Sequence, residues 1–359
     1  MTTIDITSQR LLNQQIAQPA LREPAEVVAW LGAVQAQDYL GALWAVGLRT
    51  PGATEQTIER ALAERTIVRT WPMRGTIHFL AAADVRWMQE LLAPRVVKRS
   101  ASRRAELGVD AAVLAASAKV VTRALQGGKQ LTRNALYDLL EQANIATGSS
   151  RGLHILGWLA HDGLICFGAR EGKQPTFALL EEWAPSAKSL PRDEALATLA
   201  LRYFTSHGPA TLQDLMWWSG LTTAEAKIGL SAVAAQLGCE AIGGQEYYFA
   251  QDARQALGIG RDVFLLPPFD EYLVAYRDRS AALDPQFNTR VVPGGNGIFN
   301  PIVVVGGRVL GTWKRTIRKD SVEMTFSPFA SFEEANSDAI AEAAERYGCF
   351  LGKRVILES

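Results

Sequence analysis

Two glutamines, Gln35 and Gln37, stand in the stretch AWLGAVQAQDYLGALWAVGLR (residues 29–49), and one acid, Asp38, follows them directly. A carboxamide does not ionise, so neither glutamine can serve as a strong base or as a nucleophile. Its carbonyl oxygen can still accept a proton of water and present a negative dipole, while its NH₂ group holds neighbouring atoms in place. The pair therefore fits either the polar end of a structural helix or a site that positions water.

Regular helix would keep the two amides apart. The preceding segment begins at Pro24, a residue suited to the first helical position. Its apolar residues have the i, i+3, i+4, i+7 spacing of one helical face, at Val27, Trp30, Leu31 and Val34. Residues i and i+2 lie about 200° apart on a helix, so a shared cavity requires the helix to end or unwind near Ala36. Gly41 and Gly47 make such a break reasonable. In the alternative, Gln35 caps helix carbonyls and Gln37 is solvated.

The composition is typical of a globular protein with more than one domain. The chain has 359 residues, is 48% hydrophobic and carries no net charge, so no global basic field indicates a polyanion partner. Its three cysteines are far apart, which excludes a disulfide framework and a CxxC metal site. The N-terminus has no apolar signal-peptide core, and no apolar run approaches about 18 residues. We expect a cytoplasmic protein that makes no membrane contact.

Positive charge is nevertheless concentrated locally. Ten basic and only three acidic residues lie between Arg86 and Arg133. A second basic patch contains no acid and comprises Arg308, Lys314, Arg315, Arg318 and Lys319. Stretches of this kind are either solvated faces or phosphate contacts, and the sequence leaves both open.

A helix–helix–helix–hairpin order occurs three times along the chain. In the first pass, Thr54 caps the third helix, and a basic connector with Asp84 as its N-cap follows the hairpin. The third pass has two capping boxes, which begin at Thr211 and Thr222. The last hundred residues are β-rich and include a helix over residues 332–347. We predict an α+β fold with three tandem winged-helix (helix-turn-helix) modules and a C-terminal β-barrel-like domain. The predicted domains are residues 1–110, 111–188, 189–256 and 257–359.

The third helix of the second module is a candidate DNA-binding element, because this helix of a helix-turn-helix usually enters the major groove. Its leucines are expected to face inward, at Leu153, Leu156 and Leu159. The opposite face carries polar and aromatic side chains, at Arg151, His154 and Trp158. These could contact phosphate, a base edge or a base plane, or they could form a solvent face with a half-buried indole. Winged helices also serve as protein-interaction modules.

A second polar cluster follows an apolar, proline-containing segment predicted as a strand. It consists of Asp270, Glu271, Arg277 and Asp278. The cluster is either a carboxylate–guanidinium network inside a cleft or an ion-paired turn, and we slightly favour the turn. The four histidines form no HExxH or His–Cys cluster, and the sequence has no phosphate-binding loop, dinucleotide fingerprint or GxSxG. We therefore predict neither a metal nor a cofactor.

Four segments together resemble the winged-helix DNA glycosylases of the AlkZ/YcaQ type: LGAVQAQDY, IVRTWPMRGTIHFL, FLLPPFDEYLVAYRDRS and GIFNPIVVVGGRVLGTWKR. The resemblance extends from about residue 4 to the last strand. It implies tandem winged helices with a C-terminal β-barrel, and a catalytic Gln–aliphatic–Gln or Gln–aliphatic–Asp signature. Gln35-Ala36-Gln37 matches the first form. Members of the family excise N7-alkylated purines, and some open interstrand crosslinks.

An N7-alkylated guanine already carries a positive charge and can leave without protonation by a strong acid. The remaining task is to place water near C1′ and to stabilise a cationic sugar, which amides can do. No lysine stands beside the motif, which argues against Schiff-base lyase chemistry. Gln35 and Gln37 are the predicted catalytic residues. We also expect residues that bind DNA or line the site at Asp38, Arg74, His78, Asp270 and Arg277, in addition to the face of the second module.

The sequence thus predicts a monofunctional DNA glycosylase that acts on damaged double-stranded DNA as a monomer. A non-enzymatic winged-helix transcriptional regulator is the alternative. Such regulators usually need two-fold symmetry to read half-sites, and the chain has no evident coiled-coil dimer segment. A protein-interaction scaffold is a third, weaker alternative.

Overall fold

The computed structural model describes residues 4–251, 262–295, 297–330 and 334–358. Within these ranges the protein is a mixed α+β structure, as predicted. It divides into two compact units: the first is formed by Met1–Glu59 together with Leu196–Ser359, and the second by Arg60–Ala195. The first unit combines residues from several of the domains predicted from the sequence. The four-domain division itself stays a prediction.

The chain enters the first unit through short helices with the expected start signals. The elements are α1 (Ile6–Asn13), α2 (Pro24–Leu31), β1 (Val34–Gln35), α3 (Tyr39–Gly47) and α4 (Glu55–Ala63), the last of which continues into the second unit. The Asp5 carboxylate caps α1 by accepting from the backbone N–H groups of Thr7 and Ser8. Pro24 occupies the first turn of α2, as predicted. Gly32 ends that helix at φ 79°.

The second unit places helices around antiparallel strands. Its strands are β2 (Ile67–Met73), β3 (Thr76–Ala81), β4 (Leu131–Thr132), β5 (Ile165–Glu171) and β6 (Gln174–Leu179). Within this unit they are ordered β3-β2-β5-β6-β4. Its helices are α5 (Val85–Arg99), α6 (Ala101–Glu106), α7 (Ala111–Leu125), α8 (Arg133–Gln142), α9 (Arg151–His161) and α10 (Leu180–Trp183). The predicted helices and hairpins of the second module are therefore present, and winged-helix identity stays a prediction.

One expectation for α9 is wrong. Leu156 and Leu159 are buried as predicted, but Leu153 is 54% exposed and Ile155 takes an inward position. The buried stripe of α9 comprises Gly152, Ile155, Leu156, Leu159 and Ala160. Leu153 lies about 100° around the helix from Gly152, which puts it beyond the edge of this stripe.

The chain returns to the first unit through helices and a hairpin. These are α11 (Arg192–His207), which begins in the second unit, α12 (Leu212–Ser219), α13 (Thr223–Val233), β7 (Leu237–Ile242) and β8 (Gln245–Ala250). Both predicted capping boxes are present, since Thr211 pairs with Asp214 and Thr222 with Glu225. The predicted boundary between residues 256 and 257 lies outside the described residues.

The C-terminal part builds one five-stranded sheet. Its elements are β9 (Val263–Leu266), α14 (Glu271–Val274), α15 (Asn288–Val291), β10 (Ile302–Val305), β11 (Arg308–Ile317), β12 (Ser321–Pro328), α16 (Glu334–Leu351) and β13 (Arg354–Glu358). The strand order is β13-β12-β11-β10-β9, with β12 and β13 parallel. A β-barrel-like closure stays a prediction. The sequence EYLV was expected in a β-rich segment but is helical, because Asp270 caps it by accepting from Tyr272 N–H.

The final helix is longer than predicted at its C-terminal end, since it extends to Leu351 rather than Tyr347. Phe332, its predicted first residue, lies outside the described residues. None of the helices in the described part of the chain is both long enough and apolar enough to cross a membrane.

Candidate active site

The two glutamines lie in a non-helical segment of the first unit. Helix α2 ends at Leu31, the backbone becomes extended at Val34 and Gln35, and helix resumes at Tyr39. The sequence placed the helix break near Ala36, but the helix ends earlier because Gly32 adopts the left-handed φ that favours glycine. The constraint that kept Gln35 and Gln37 on different faces therefore does not apply.

Burial differs sharply within the motif. Gln35 is only 5% exposed and Ala36 is fully buried, whereas Gln37 is exposed. The backbone N–H of Gln35 donates to Oε1 of Glu271 at 3.2 Å. The motif thus combines an amide in a protein interior with an amide at the surface.

Glu271 is buried and uses both of its carboxylate oxygens. Oε2 accepts from the indole Nε1 of Trp218 at 2.9 Å. Nε2 of His207 lies 3.6 Å from the same oxygen, and all three side chains are buried. Tyr203 and Trp218 pack their rings against His207, with centroid separations of 4.9 and 5.5 Å. The carboxylate that contacts the backbone of Gln35 therefore lies beside a buried cluster of aromatic rings.

Asp270, the neighbour of Glu271, forms a buried ion pair. Its two oxygens accept from Nη1 and Nη2 of Arg49 at 2.9 and 2.8 Å. Both side chains are almost completely inaccessible. Arg277 and Asp278 of the predicted cluster are exposed. Asp270 and Glu271 instead belong to a buried network, which corrects the slight preference for an ion-paired turn. Its cation is Arg49, since Arg277 instead donates from its guanidinium to Gln213 and from its backbone N–H to Asp214.

Asp38 has a structural task next to the motif. Its Oδ1 accepts from the backbone N–H of Gly41 at 2.6 Å and thereby caps α3. The same oxygen lies 3.4 Å from Nη2 of Arg315 on β11. A contribution of Asp38 to DNA binding or to the lining of the site stays a prediction.

Arg74 and His78 lie together on the β2–β3 hairpin of the second unit. Nη2 of Arg74 lies 3.2 Å from Nε2 of His78, and Nδ1 of His78 lies 3.0 Å from the carbonyl oxygen of Thr76. A neutral ring that donates from Nδ1 and accepts at Nε2 satisfies both contacts. Burial first, and the nearby positive charge of Arg74 second, hold the pKa of His78 well below its usual value. His78 thus orients Arg74 as a neutral acceptor, and a DNA contact of the pair stays a prediction.

The proposed DNA-facing side of α9 is partly engaged within the second unit. Arg151 donates from Nε to the carbonyl oxygen of Ala146 at 2.9 Å and from Nη1 to that of Leu107. Trp158 packs against the hydrophobic core of this unit, and His154 is half-buried. These contacts favour the structural alternative for Arg151 and Trp158, and DNA binding by this face stays a prediction.

Sequence reasoning missed three residues of the buried network: Arg49, His207 and Trp218. The one available signal was an arginine at the end of the apolar α3 segment, because an arginine buried in such a place requires an anionic partner. Among the described residues, no group of three or more His, Cys, Asp or Glu side chains could hold a metal ion.

Comparison with known proteins decides the family. The sequence model of the AlkZ-like DNA glycosylases matches residues 28–350. This match includes the glutamine motif and the buried carboxylates described above. The chain belongs to the AlkZ-like DNA glycosylase family. It is accordingly an enzyme that acts on DNA, and the regulator and scaffold alternatives have no comparable support.

Individual relatives agree with this assignment. An interstrand DNA cross-link repair glycosylase of Streptomyces sahachiroi is 26% identical over 349 residues, which cover 93% of this chain and 92% of the relative. The solved structure of the S. sahachiroi DNA glycosylase AlkZ superposes with a TM-score of 0.83 at 24% identity, and the match covers 100% of both chains. At this identity the structural match shows the fold.

Proposed function

We propose that this AlkZ-like glycosylase excises N7-alkylated purines from duplex DNA, with Gln35 and Gln37 as catalytic residues that direct water to C1′. The observation that carries the proposal is the non-helical backbone between Leu31 and Tyr39. Regular helix would set residues i and i+2 about 200° apart, and that constraint does not apply to Gln35 and Gln37 in this segment. This geometry supports a shared role for the two amides.

The chemistry of the lesion makes a strong acid unnecessary. Alkylation at N7 gives the purine a positive charge, and cleavage of the bond between the base nitrogen and C1′ returns that electron pair to the base. The sugar becomes cationic, and water adds at C1′ and loses a proton. Amide carbonyls aligned with this developing charge stabilise it without reorganisation. An undamaged, neutral base lacks this charge and would need protonation, so selectivity follows partly from the reaction.

The different burial of the two amides suggests a division of labour. Gln35 is enclosed, and a dipole in a low-dielectric environment interacts more strongly with charge than one in water. Gln37 is exposed, which leaves its amide accessible to an extruded nucleotide. Base-processing enzymes commonly rotate their target out of the stack, and damaged bases cost least to extrude. We infer that Gln37 meets the lesion first.

Duplex binding is assigned to the predicted tandem winged-helix modules. The helices and hairpins that occur in the predicted order in both units support this assignment. The excess of basic residues between Arg86 and Arg133 supports contact with phosphates. Such contacts fix orientation and carry little sequence preference, which suits an enzyme that must find damage anywhere.

Opening of interstrand crosslinks is a natural extension of the same reaction. The S. sahachiroi relative is named an interstrand DNA cross-link repair glycosylase. A crosslink through N7 leaves each attached purine cationic, so the bond from that purine to its sugar is weakened in the same way. We propose that this chain also releases purines crosslinked through N7.

The experiment is single-turnover release of N7-methylguanine at saturating DNA, which separates the chemical step from binding. Gln35→Ala and Gln37→Ala should retain DNA affinity and lose excision. Loss of one transition-state hydrogen bond costs about 2–4 kcal/mol, which slows excision roughly 30- to 1000-fold. Gln37→Asp should retain part of the activity, because a carboxylate also accepts from water.

The matched control is Gln236→Ala, which removes an exposed glutamine outside the motif and should excise at the wild-type rate. If both motif variants release the free base as fast as wild type, the glutamines are not catalytic and the proposal fails.

A further inference from the structure

We propose that Glu271 is the positioning residue of the catalytic segment, and that Asp270 anchors the turn that carries it. The proposal rests on the catalytic role of Gln35 and Gln37 proposed above. We call Asp270 and Glu271 the acidic pair. The two carboxylates are adjacent in sequence, yet they contact opposite ends of the segment that includes the motif and α3.

At the upstream end, Glu271 contacts the motif itself. Its Oε1 accepts from the backbone N–H of Gln35, and its Oε2 accepts from the indole of Trp218. Glu271 is 1% exposed, so water cannot readily replace either contact. A carboxylate provides acceptors on both oxygens and no donor, which suits a position between two N–H groups. The indole therefore orients the carboxylate, and the carboxylate orients the Gln35 backbone.

At the downstream end, Asp270 holds Arg49 just after α3. Besides its two contacts with Asp270, the Arg49 guanidinium donates to the carbonyl oxygens of Ala45 and Gln14 at 2.8 Å each. A planar guanidinium held at this many points has little freedom to rotate. The last turn of α3 is thereby tied to the turn that presents Glu271.

The turn of the acidic pair is itself tightly defined. Phe269 has φ 60°, in the left-handed region, and Asp270 caps α14 by accepting from Tyr272 N–H at 3.0 Å. The strand before this turn also contacts α3, because Nε1 of Trp44 donates to the carbonyl oxygen of Leu265 at 2.7 Å. The acidic pair thus holds the segment from Gln35 to Arg49 at both ends, and Leu265 contacts α3 within that segment.

Catalysis by positioned amides depends on this kind of support. The glutamines supply geometry rather than acid or base strength, and a misplacement of about 1 Å can cost roughly 100-fold in rate. Gln35 lies in a two-residue strand and therefore depends on tertiary contacts for its position. Glu271 provides such a contact at the backbone of the residue itself.

The test begins with Glu271→Gln, which conserves shape and removes one acceptor. The carboxamide has a single oxygen, so its NH₂ group must face either Gln35 N–H or the Trp218 indole N–H. We expect excision at saturating DNA to slow roughly 100-fold while DNA affinity stays at the wild-type value.

Rescue distinguishes positioning from a general structural role. Trp218→Phe removes the competing indole N–H, so in Trp218→Phe/Glu271→Gln the amide oxygen can turn to Gln35 N–H. We expect this double variant to excise at least about tenfold faster than Glu271→Gln, although it has lost a large buried side chain. If Glu271 merely stabilised the fold, the second substitution would destabilise the protein further, and the excision rate would not recover.

Asp84→Asn is the matched control in the second unit. Asp84 is also buried and its Oδ1 accepts from an indole, that of Trp87, at 2.9 Å. The variant loses a comparable buried carboxylate far along the chain from the motif, and its excision rate should match wild type. All rates are normalised to the folded fraction measured by circular dichroism.

The outcomes separate this proposal from the proposed function. Wild-type excision by Glu271→Gln, or a double variant no faster than Glu271→Gln, overturns the positioning role even if both glutamine variants are inactive. If Glu271→Gln does not fold, the double variant decides: folding and excision recovered together support the role, and folding recovered without excision overturns it. Glutamine variants with wild-type activity refute the catalytic assignment itself, whatever Glu271 does.

Discussion

At the scale of single residues, the proposed catalytic side chains are amides, where hydrolases more often use carboxylates, and the buried carboxylate of Glu271 contacts the backbone of the motif. Glu271 and Asp270 are ionisable and buried, but each contacts protein groups rather than open space. If DNA covers the glutamines as proposed, Gln35 and Gln37 carry no charge that has to be desolvated, which avoids a cost that a buried carboxylate would incur. In the proposed reaction, the lesion supplies the positive charge of the leaving base, and the enzyme supplies the positions of the amides and the water.

His78 gives a prediction of pH dependence. Its folded-state pKa lies well below 6.5, so below about pH 6.5 the unfolded chain binds a proton that the folded chain does not. Stability should therefore be full above that pH and decrease as the pH falls, by up to about 1.4 kcal/mol per unit for this group. His78→Gln keeps a donor and an acceptor but cannot titrate. Urea unfolding between about pH 7 and about pH 5 should give a flatter dependence for the variant; equal slopes would contradict it.

At the scale of elements, α3 is the part that joins the glutamine motif to the rest of the first unit. It begins at the Asp38 cap, ends beside Arg49 and packs its Trp44 ring against Tyr347 and Phe350 of α16. Little of its stability can come from nine residues of helix alone, since short helices are marginal in water. Its position therefore depends on packing.

Gly47, in the last turn of α3, tests this packing. A Cβ added there would overlap the ring of Phe350, which is 3% exposed and contacts Trp44. Gly47→Ala should therefore destabilise the protein by about 1–3 kcal/mol through overpacking, although alanine is the better helix former. Thermal and urea unfolding measure the change.

Gly157 in α9 is the matched control. Apart from its chain neighbours and the backbone of its own helix, the described residues place no atom within 4 Å of a Cβ added there, so Gly157→Ala should stabilise the protein by roughly 0.5–1 kcal/mol. Opposite signs for the two substitutions are the expected result. A stabilising Gly47→Ala would show that Phe350 yields and that α3 is not tightly held.

At the scale of the whole molecule, the chain has no net charge, but it contains the basic stretch of residues 86–133, which should govern DNA binding. Lys98 and Arg99 at the end of α5 are exposed, so Lys98→Ala/Arg99→Ala should weaken duplex binding on all sequences alike. The slope of log affinity against log salt is negative, and each lost phosphate contact should make it less steep by about 0.9. Titrations at several salt concentrations give this slope. Lys188→Ala, which removes an exposed lysine outside the stretch, should leave the slope unchanged; equal effects would refute a localised footprint.

The sequence by itself determined most of the local structure and the chemical candidates. Pro24, the capping boxes that begin at Thr211 and Thr222, and the hairpin turns are signals between residues a few positions apart, where backbone hydrogen bonding alone decides the outcome. The Gln–Ala–Gln motif could likewise be recognised from residue types and spacing. These predictions are reliable because the interacting groups are neighbours in the chain.

Tertiary structure alone decided which distant groups meet. Arg49 and Asp270 are 221 residues apart, and Gln35 and Glu271 are 236 apart. No local pattern specifies such pairs, because they form only when whole elements pack and bury polar groups that must then find partners. The same reason explains the exposure of Leu153. Helical periodicity predicts that one face of α9 is buried, but packing against the rest of the unit determines which residues lie on that face. The sequence identified Gln35 and Gln37 as the candidate catalytic residues from their types and spacing. The buried contacts that support them could be identified only from the tertiary structure.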